Sequence, residues 1–173
     1  MAGLKDIWIC SLRPDMALMV ITGEPSVLLS PSLDGYKGKL AIHASSYLDE
    51  EDEKDSFKRI IEMDWSPEDV PAGSLVGWCK VEKNIEYDTN TFADDLNKHC
   101  YSSHRLDIFK QQEEWLDAVH GLHLAEMQIL KEPIMGAGKT RVHGEWWQSD
   151  NPFDLLCLTQ CLKSDAVDLA AIL

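Results

Sequence analysis

The stretch Gly35–Ser45 constrains the fold of this 173-residue chain more than any other segment. Gly35 and Gly38 predict a tight turn, because a residue without a Cβ atom accepts positive φ. After the turn, apolar residues alternate with small or polar ones, which is the pattern of a strand with one buried face. We expect His43 and Ser45 to lie together on the other face, where they could meet a ligand.

The length of the chain predicts one domain, residues 1–150, followed by a helical extension, residues 151–173. In the extension, Asn151 is placed to cap a helix, and Pro152 suits its first position. Several leucines then share one face of the predicted helix. An apolar face of this kind needs cover. The sequence favours cover by the chain's own barrel and leaves open a homodimer through the C-terminal helices.

The net charge of −14 counts against strong non-specific binding of nucleic acid, which depends on Lys and Arg at phosphates. An RNA role therefore needs a local basic surface. Five cysteines form no framework of disulfides or zinc ligands, which is typical of a reducing cytoplasm. No apolar run approaches 20 residues and no signal-peptide pattern opens the chain, so we expect a cytoplasmic protein without a membrane span.

Two motifs that suggest cofactors are incomplete. Gly136–Thr140 ends like a phosphate-binding loop, but Pro133 occupies the position of the first glycine that such a loop requires. The histidine pairs at 120/123 and 99/104 lack the further ligands that a zinc site needs. We therefore predict no cofactor and no metal.

The Gly35–Ser45 stretch resembles the YxGxLxIHAS strand of the ASCH domain family, a branch of the PUA-like β-barrels tied to RNA. Further segments resemble the family in the same order along the chain: Ile7–Pro14 with its Arg-Pro pair, the helix Asp15–Glu24, the strand Pro71–Val81, and Pro133–Gly138 followed by Trp146 and Trp147. The resemblance implies an α+β fold, a PUA-like β-barrel of about five or six strands decorated by helices.

One motif departs from the family. Relatives that hydrolyse acetylated cytidine usually carry the sequence GEKTVELR, with variations, after the first helix. Here Pro25 stands at the Lys position, Leu28 at the Glu or Thr position, and Ser30 at the Arg position. Proline offers no side-chain donor, and leucine can neither attack a substrate nor exchange a proton. The activity of those relatives therefore does not carry over through this motif.

The candidate ligand site combines the strand residues with basic and aromatic side chains. Lysines and an arginine on two predicted loops could contact phosphates, and a tryptophan could stack on a base. Ordinary surface charge and core packing are the alternatives for these same residues. The predicted ligand-binding set is Tyr36, Lys37, Lys39, His43, Ser45, Trp78, Lys139 and Arg141.

The sequence thus favours a non-catalytic or weakly catalytic module that binds RNA or a nucleotide-like ligand. A hydrolase of a modified nucleoside, with a site rebuilt from other residues, is the first alternative. A protein-interaction module that uses the acidic surface and the C-terminal helices is the second. The barrel fold alone does not choose among these functions.

Overall fold

The computed structural model of the protein describes residues 3–30, 33–99 and 119–163. The chain forms two compact units. The first unit contains Met1–Thr22, Lys39–Cys79 and Met127–Leu173, and the second contains Gly23–Gly38 and Lys80–Glu126. The predicted boundary between residues 150 and 151 stays a prediction. None of the helices in the described ranges is long and apolar enough to cross a membrane.

Strands and helices alternate along the chain without a repeating unit. The strands are β1 (Ile9–Leu12), β2 (Val27–Ser30), β3 (Gly38–Ala44), β4 (Ser74–Glu86), β5 (His120–Met135) and β6 (Glu145–Trp147). The helices are α1 (Pro14–Thr22), α2 (Glu50–Glu62), α3 (Thr89–Asp94), α4 (Leu96–His99) and α5 (Pro152–Lys163), with 3-10 turns at Leu4–Asp6 and Pro67–Asp69.

The six strands form one mixed sheet in the order β2-β5-β4-β3-β1-β6. β1 runs parallel to β3, with Ile9 opposite Ala41, and antiparallel to β6, with Ile9 opposite Trp147. β2 runs antiparallel to β5, with Ser30 opposite His120. The α+β class and the number of strands confirm the fold class that the sequence predicts.

One core cluster of the first unit is built around β1 and α5. Leu158 and two cysteines of α5 are buried against Ile9, Leu75 and Trp147. The thiol of Cys161 lies 3.5 Å from the carbonyl oxygen of Gly77. Burial raises the pKa of the Cys161 thiol to about 12, so it packs as a small apolar group. The described part of the C-terminal helix thus covers its own unit.

In the described part of the second unit, a core cluster centres on Tyr87. Val27, Tyr87 and Phe92 are buried together, with Leu29, Leu96 and Val119 around them. The Tyr87 ring lies directly on the backbone of β5, because a Cβ atom at Gly121 would come within 2.3 Å of Tyr87 Cζ. A side chain at position 121 would therefore displace the ring.

Several elements differ from the sequence-based expectations. β2 falls at the degenerate ASCH motif, where the sequence predicts no element. Alternating residues at 122–130 predict a strand, and β5 extends beyond it at both ends. A cap at Asn90 or Thr91 predicts a helix through residue 99, but the observed helix is divided at Asp95. The apolar spacing at 106–119 predicts a further helix, which lies almost wholly outside the described residues. β3 is buried from Leu40 to Ala44, because it lies inside the sheet between β4 and β1.

Candidate functional site

An open cleft of about 570 Å³ lies in the first unit between a glycine-rich turn and the start of α5. We call it the lysine cleft. Gly136 and Gly138, with φ of 99° and 61°, let the chain turn sharply after β5. The cleft is lined by Gly136, residues 138–141, residues 148–151, Phe153 and Asp154.

Two basic and two acidic side chains line the lysine cleft, but they are not equally free to bind a ligand. Arg141 is paired with Glu145, and its guanidinium lies 4.6 Å from the centre of the Trp147 ring. Asp154 accepts hydrogen bonds from the Gly138 N–H at 3.3 Å and from the Ser149 hydroxyl at 2.9 Å. Lys139 is exposed and forms no ion pair with any residue in the described ranges. Lys139 is therefore the cation that the cleft offers to an anionic ligand.

An exposed aromatic ring completes the lysine cleft. Phe153 in the first turn of α5 keeps 51% of its surface exposed. Asn151 holds this turn, because its side chain accepts a hydrogen bond from the Phe153 N–H at 2.9 Å. The Phe153 ring therefore stands at the start of α5 and lines the same cleft as Lys139. The cleft thus offers a stacking surface together with a cation.

A buried polar chain joins β1, β3 and β6 in the same unit. The Trp147 indole N–H donates to Ser11 Oγ at 2.9 Å, and Ser11 Oγ lies 2.8 Å from His43 Nδ1. The Ser11 hydroxyl thus links the Trp147 indole to the His43 ring. No described group reaches hydrogen-bond geometry with Nε2, although the Ala137 backbone is close enough to favour the charged ring.

Burial lowers the pKa of His43 from 6.5 to about 4, so the ring is neutral at pH 7. Charged residues of the lysine cleft act on it: Asp154 raises its pKa and Arg141 lowers it. His43 and Ser45 are both fully buried. The Ser45 hydroxyl donates to the Arg141 carbonyl at 2.6 Å and accepts from the Tyr47 N–H at 3.2 Å. The expected ligand-facing row thus supports the turn and does not reach the surface.

The remaining predicted site residues lie elsewhere. Lys39 is exposed, and its ammonium lies 4.3 Å from the centre of the half-buried Trp78 ring, so it covers the ring that could stack on a base. Tyr36 and Lys37 belong to the second unit. Of the eight predicted residues, Lys139 and Arg141 are those that line the lysine cleft.

Sequence reasoning missed an oriented histidine in the second unit. The Asn84 amide donates from Nδ2 to the Tyr36 carbonyl at 3.3 Å, so its Oδ1 accepts from His120 Nδ1 at 2.6 Å. The second ring nitrogen of His120, Nε2, is then a proton acceptor. Ser30 lies directly opposite His120 in the β2–β5 pair, where side chains share one face. His120 and Asn84 are 36 residues apart in the sequence, which contains no signal that pairs them.

A second missed cluster surrounds Asp95, also in the second unit. Its carboxylate accepts hydrogen bonds from the Tyr87 hydroxyl and the Lys98 ammonium, and His123 Nε2 lies 3.7 Å away. Burial raises the pKa of Tyr87, and the bond to Asp95 raises it further. For Asp95 itself, burial would raise the pKa, but Lys98 and Tyr87 hold it below its usual value. The cluster links Lys98 of α4 with Tyr87, which directly follows β4, and with His123 of β5.

Neither unit presents a metal centre in the part of the chain that is described. No group of three His, Cys, Asp or Glu side chains there could hold an ion. Cys10 and Cys79 are free thiols, and burial raises the pKa of both.

No protein-family model matches the sequence, and no curated protein matches it. Solved structures do match. A crystal structure of ASCH from Zymomonas mobilis has a TM-score of 0.60 and 14% sequence identity, and the match covers 96% of this chain and 100% of that chain. Crystal structures of two point mutants of that protein match with TM-scores of 0.57, at 14% and 15% identity, over 93% and 91% of this chain and 96% of theirs. The chain therefore has an ASCH-like fold.

Proposed function

We propose that this protein is a binding module for RNA or a nucleotide-like ligand, and that the ligand binds in the lysine cleft. One observation carries the proposal. The exposed cation Lys139, which has no ion-pair partner in the part of the chain that the structure describes, and the exposed ring of Phe153 line the same open cleft of about 570 Å³. A phosphate and a neighbouring base need such a pair of groups. The ASCH-like fold, a PUA-like architecture, supports the same ligand class.

The charges around the cleft favour a single strand over a duplex. Duplex binding without sequence preference depends on many phosphate contacts. Here Arg141 is already paired with Glu145, and Asp150 and Asp154 also line the cleft. A single strand can instead place one phosphate at Lys139 and stack an unpaired base on Phe153. Stacking on an aromatic side chain contributes about 1–3 kcal/mol per base.

The test is fluorescence anisotropy with a labelled single-stranded RNA octamer and with a duplex of the same sequence. We expect the single strand to bind more tightly. Phe153→Ala should weaken binding about tenfold, in line with the loss of one stacked base. Lys139→Ala should weaken it severalfold and should reduce the dependence of affinity on salt.

Matched controls lie outside the cleft. Lys131 on β5 is an exposed lysine, and Leu156 of α5 is an exposed apolar residue at 55%. Lys131→Ala and Leu156→Ala should leave the affinity unchanged. The double variant Lys37→Ala/Lys139→Ala tests whether the turn of the second unit adds a contact. Equal losses in the controls, or binding that does not respond to salt, would reject the lysine cleft.

A second candidate function, hydrolysis of a modified nucleoside, is favoured by the oriented His120 in the second unit. Asn84 fixes the ring so that Nε2 can accept a proton, and Ser30 is its cross-strand neighbour. A serine beside an oriented base is the arrangement of a nucleophile. We nevertheless expect no turnover of acetylated cytidine, because Pro25, Leu28 and Ser30 replace the charged motif. Release of acetate that is lost in both Ser30→Ala and His120→Ala would establish the hydrolase instead.

A further inference from the structure

A second opening in the first unit is lined by other residues of the turn at 136–144 than the lysine cleft and takes no part in the proposed RNA site. It has a volume of about 560 Å³ and is lined by residues 46–49, Asp52, Val142 and His143. We call it the acidic groove. Tyr47 and Val142 are 67% and 42% exposed there. These side chains form an apolar floor that no described residue covers.

The floor of the acidic groove is held in place by its backbone. Tyr47 and Val142 form a parallel β-bridge. The Tyr47 N–H donates to Ser45 Oγ at 3.2 Å, and the Ser45 hydroxyl donates in turn to the Arg141 carbonyl at 2.6 Å. The Tyr47 ring is therefore presented from a fixed backbone and can bind a partner with little ordering cost.

Carboxylates form the rim of the acidic groove. Asp49 caps α2 by accepting a hydrogen bond from the Asp52 N–H at 2.8 Å through Oδ1. Asp52 binds Arg13 Nη1 at 3.1 Å, also through Oδ1, and its side chain is 50% exposed. Within the described ranges, the second carboxylate oxygen of each aspartate has no hydrogen-bond partner. Two carboxylates with spare acceptors thus stand beside an exposed aromatic ring.

The surroundings of the groove are acidic as well. Between Asp49 and Glu62 the chain carries seven carboxylates and three basic side chains. His143 does not offset them, because its Nδ1 accepts a hydrogen bond from the Arg13 N–H at 2.9 Å. Burial and the nearby Arg13 lower its pKa, so the ring is neutral at pH 7. The groove therefore attracts cations and repels phosphates.

The ring and the two carboxylates select among cations. A flat guanidinium can stack on an aromatic face and bind carboxylates with two parallel N–H groups, whereas an ammonium is a compact, strongly hydrated charge. The protein uses this arrangement itself at Arg141, which lies on Trp147 and pairs with Glu145. We propose that the acidic groove docks an arginine-containing basic segment of a partner protein, with the guanidinium stacked on Tyr47 and bound by Asp49 and Asp52.

The probe is a fluorescein-labelled peptide of alternating glycine and arginine, compared with the same peptide carrying lysine and with one carrying aspartate. We expect the arginine peptide to bind, the lysine peptide to bind about threefold or more weakly, and the aspartate peptide not to bind. Tyr47→Ala should weaken binding of the arginine peptide about fivefold, because the stacking surface is lost. Asp49→Asn should weaken it about threefold while keeping the helix cap, since asparagine caps equally well.

The controls carry the same chemical changes elsewhere in the first unit. Glu62→Gln removes one carboxylate from the far end of α2, and Ile61→Ala removes an exposed apolar side chain. Both should leave the affinity unchanged. All substituted residues are exposed, and circular dichroism should confirm that each variant is folded.

Several results would overturn the proposal. These are an equal loss with Glu62→Gln, equal affinity for the lysine peptide, or no binding of the arginine peptide at all. Competition by single-stranded RNA with an affinity that depends on Tyr47 would assign the groove to RNA instead. A change of mass in light scattering caused by Tyr47→Ala would assign it to a second copy of this chain. Failure of RNA binding in the lysine cleft leaves this proposal standing, because the two ligands and the variants differ.

Discussion

Two helix starts flank the turn at 136–144, and their first turns differ in charge. On one flank, α5 begins at Pro152 with a single carboxylate in its first turn, Asp154, and faces Lys139 across the lysine cleft. On the other flank, α2 begins at Glu50 with four carboxylates in its first turn and faces Val142 across the acidic groove. Both helices present a positive dipole end at these positions.

The side chains at these two helix starts, and not the fold, decide which partner each helix start attracts. At α2 the dipole is outweighed by the acidic run beginning at Asp49. At α5 the helix dipole and Lys139 both attract anions, and Asp154 lines the same cleft. Two openings of nearly equal volume, about 570 and 560 Å³, are therefore expected to select ligands of opposite charge.

The largest expected effect concerns the packing of α5 beneath the lysine cleft. Leu158 is 1% exposed in the core of the first unit, whereas Leu156 on the same helix is 55% exposed. Leu158→Ala should lower the free energy of unfolding by about 3–4 kcal/mol, and Leu156→Ala should change it by less than about 0.5 kcal/mol. Urea denaturation measures both.

The same pair of variants tests the homodimer that the sequence leaves open. If the C-terminal helices, including residues beyond Lys163, also join two copies, Leu156→Ala should shift the mass in light scattering while leaving the free energy of unfolding of the first unit intact. An unchanged mass, together with a large loss of stability for Leu158→Ala, means that α5 serves its own unit.

The second effect distinguishes the buried His43 from the exposed His143 of the acidic groove. Because burial lowers the pKa of folded His43 to about 4, only the unfolded state takes up this proton as the pH falls from 6.5. Stability should therefore be lost between pH 6.5 and 4, by about 3 kcal/mol. Asp15 contributes in a lower window, because Arg13 holds its folded pKa below 3.8 and its stabilisation is lost only on further acidification.

Urea denaturation at a series of pH values checks this prediction. In His43→Gln the free energy of unfolding should change less with pH between pH 6.5 and 4, so that its curve against pH flattens. In His143→Gln the curve should flatten less, because that residue keeps much of its surface exposed and its ring is only partly withdrawn from water. Equal flattening in the two variants would mean that His43 is not isolated from water.

The third effect concerns the turn that separates the two openings. A Cβ atom at Gly138 would come 2.8 Å from Trp147 Cζ2, whereas a Cβ at Gly144 would meet nothing within 4 Å. Both glycines have positive φ, so both alanine variants carry backbone strain of about 1 kcal/mol. Gly138→Ala should be destabilised by about 2 kcal/mol more, because it also displaces Trp147. Similar losses in thermal and urea denaturation would show that Trp147 moves freely.

The smallest effect concerns the charges at Lys139 in the lysine cleft and at Asp49 in the acidic groove. Lys139→Glu should reduce the affinity for single-stranded RNA about tenfold, which corresponds to about 1.4 kcal/mol, and leave the affinity for the arginine peptide unchanged. Asp49→Asn should weaken only the peptide. Anisotropy titrations of both ligands with both variants check this. If each variant weakened the binding of both ligands by a similar factor, the two openings would be one site.

Strong local signals in the sequence predicted the elements that frame the site. α1 runs from Pro14 to Thr22 as expected, because proline suits a first helical position and Gly23 ends the helix. β2 was missed because its four residues follow Pro25 and have no alternating polar face. β5 extends beyond the predicted 122–130, because cross-strand partners sustain pairing that the local pattern does not show.

The site was harder to predict than the fold. Alternation in β3 indicated a ligand-facing row at His43 and Ser45, but β3 lies between β4 and β1, and both residues are fully buried. That placement depends on which strands pair, and strand pairing is not encoded locally. Lys139 and Arg141 lie in the cleft because the glycine turn brings them there. Phe153, Asn84, His120 and Tyr47 gave no signal, because each gains its role from a partner distant in sequence.

Trp147 has an optical consequence. Its indole N–H is fixed to Ser11, its ring lies beneath Arg141, and the His43 ring meets it edge-on at 6.1 Å between centres. A buried indole emits at short wavelength, and its emission responds to the charge placed beside it. If the other five of the six tryptophans are replaced by phenylalanine, the protein keeps one fluorophore with its face toward the lysine cleft and its edge toward His43. Its emission would then report Arg141 displacement by a ligand and His43 protonation by acid, without any added label.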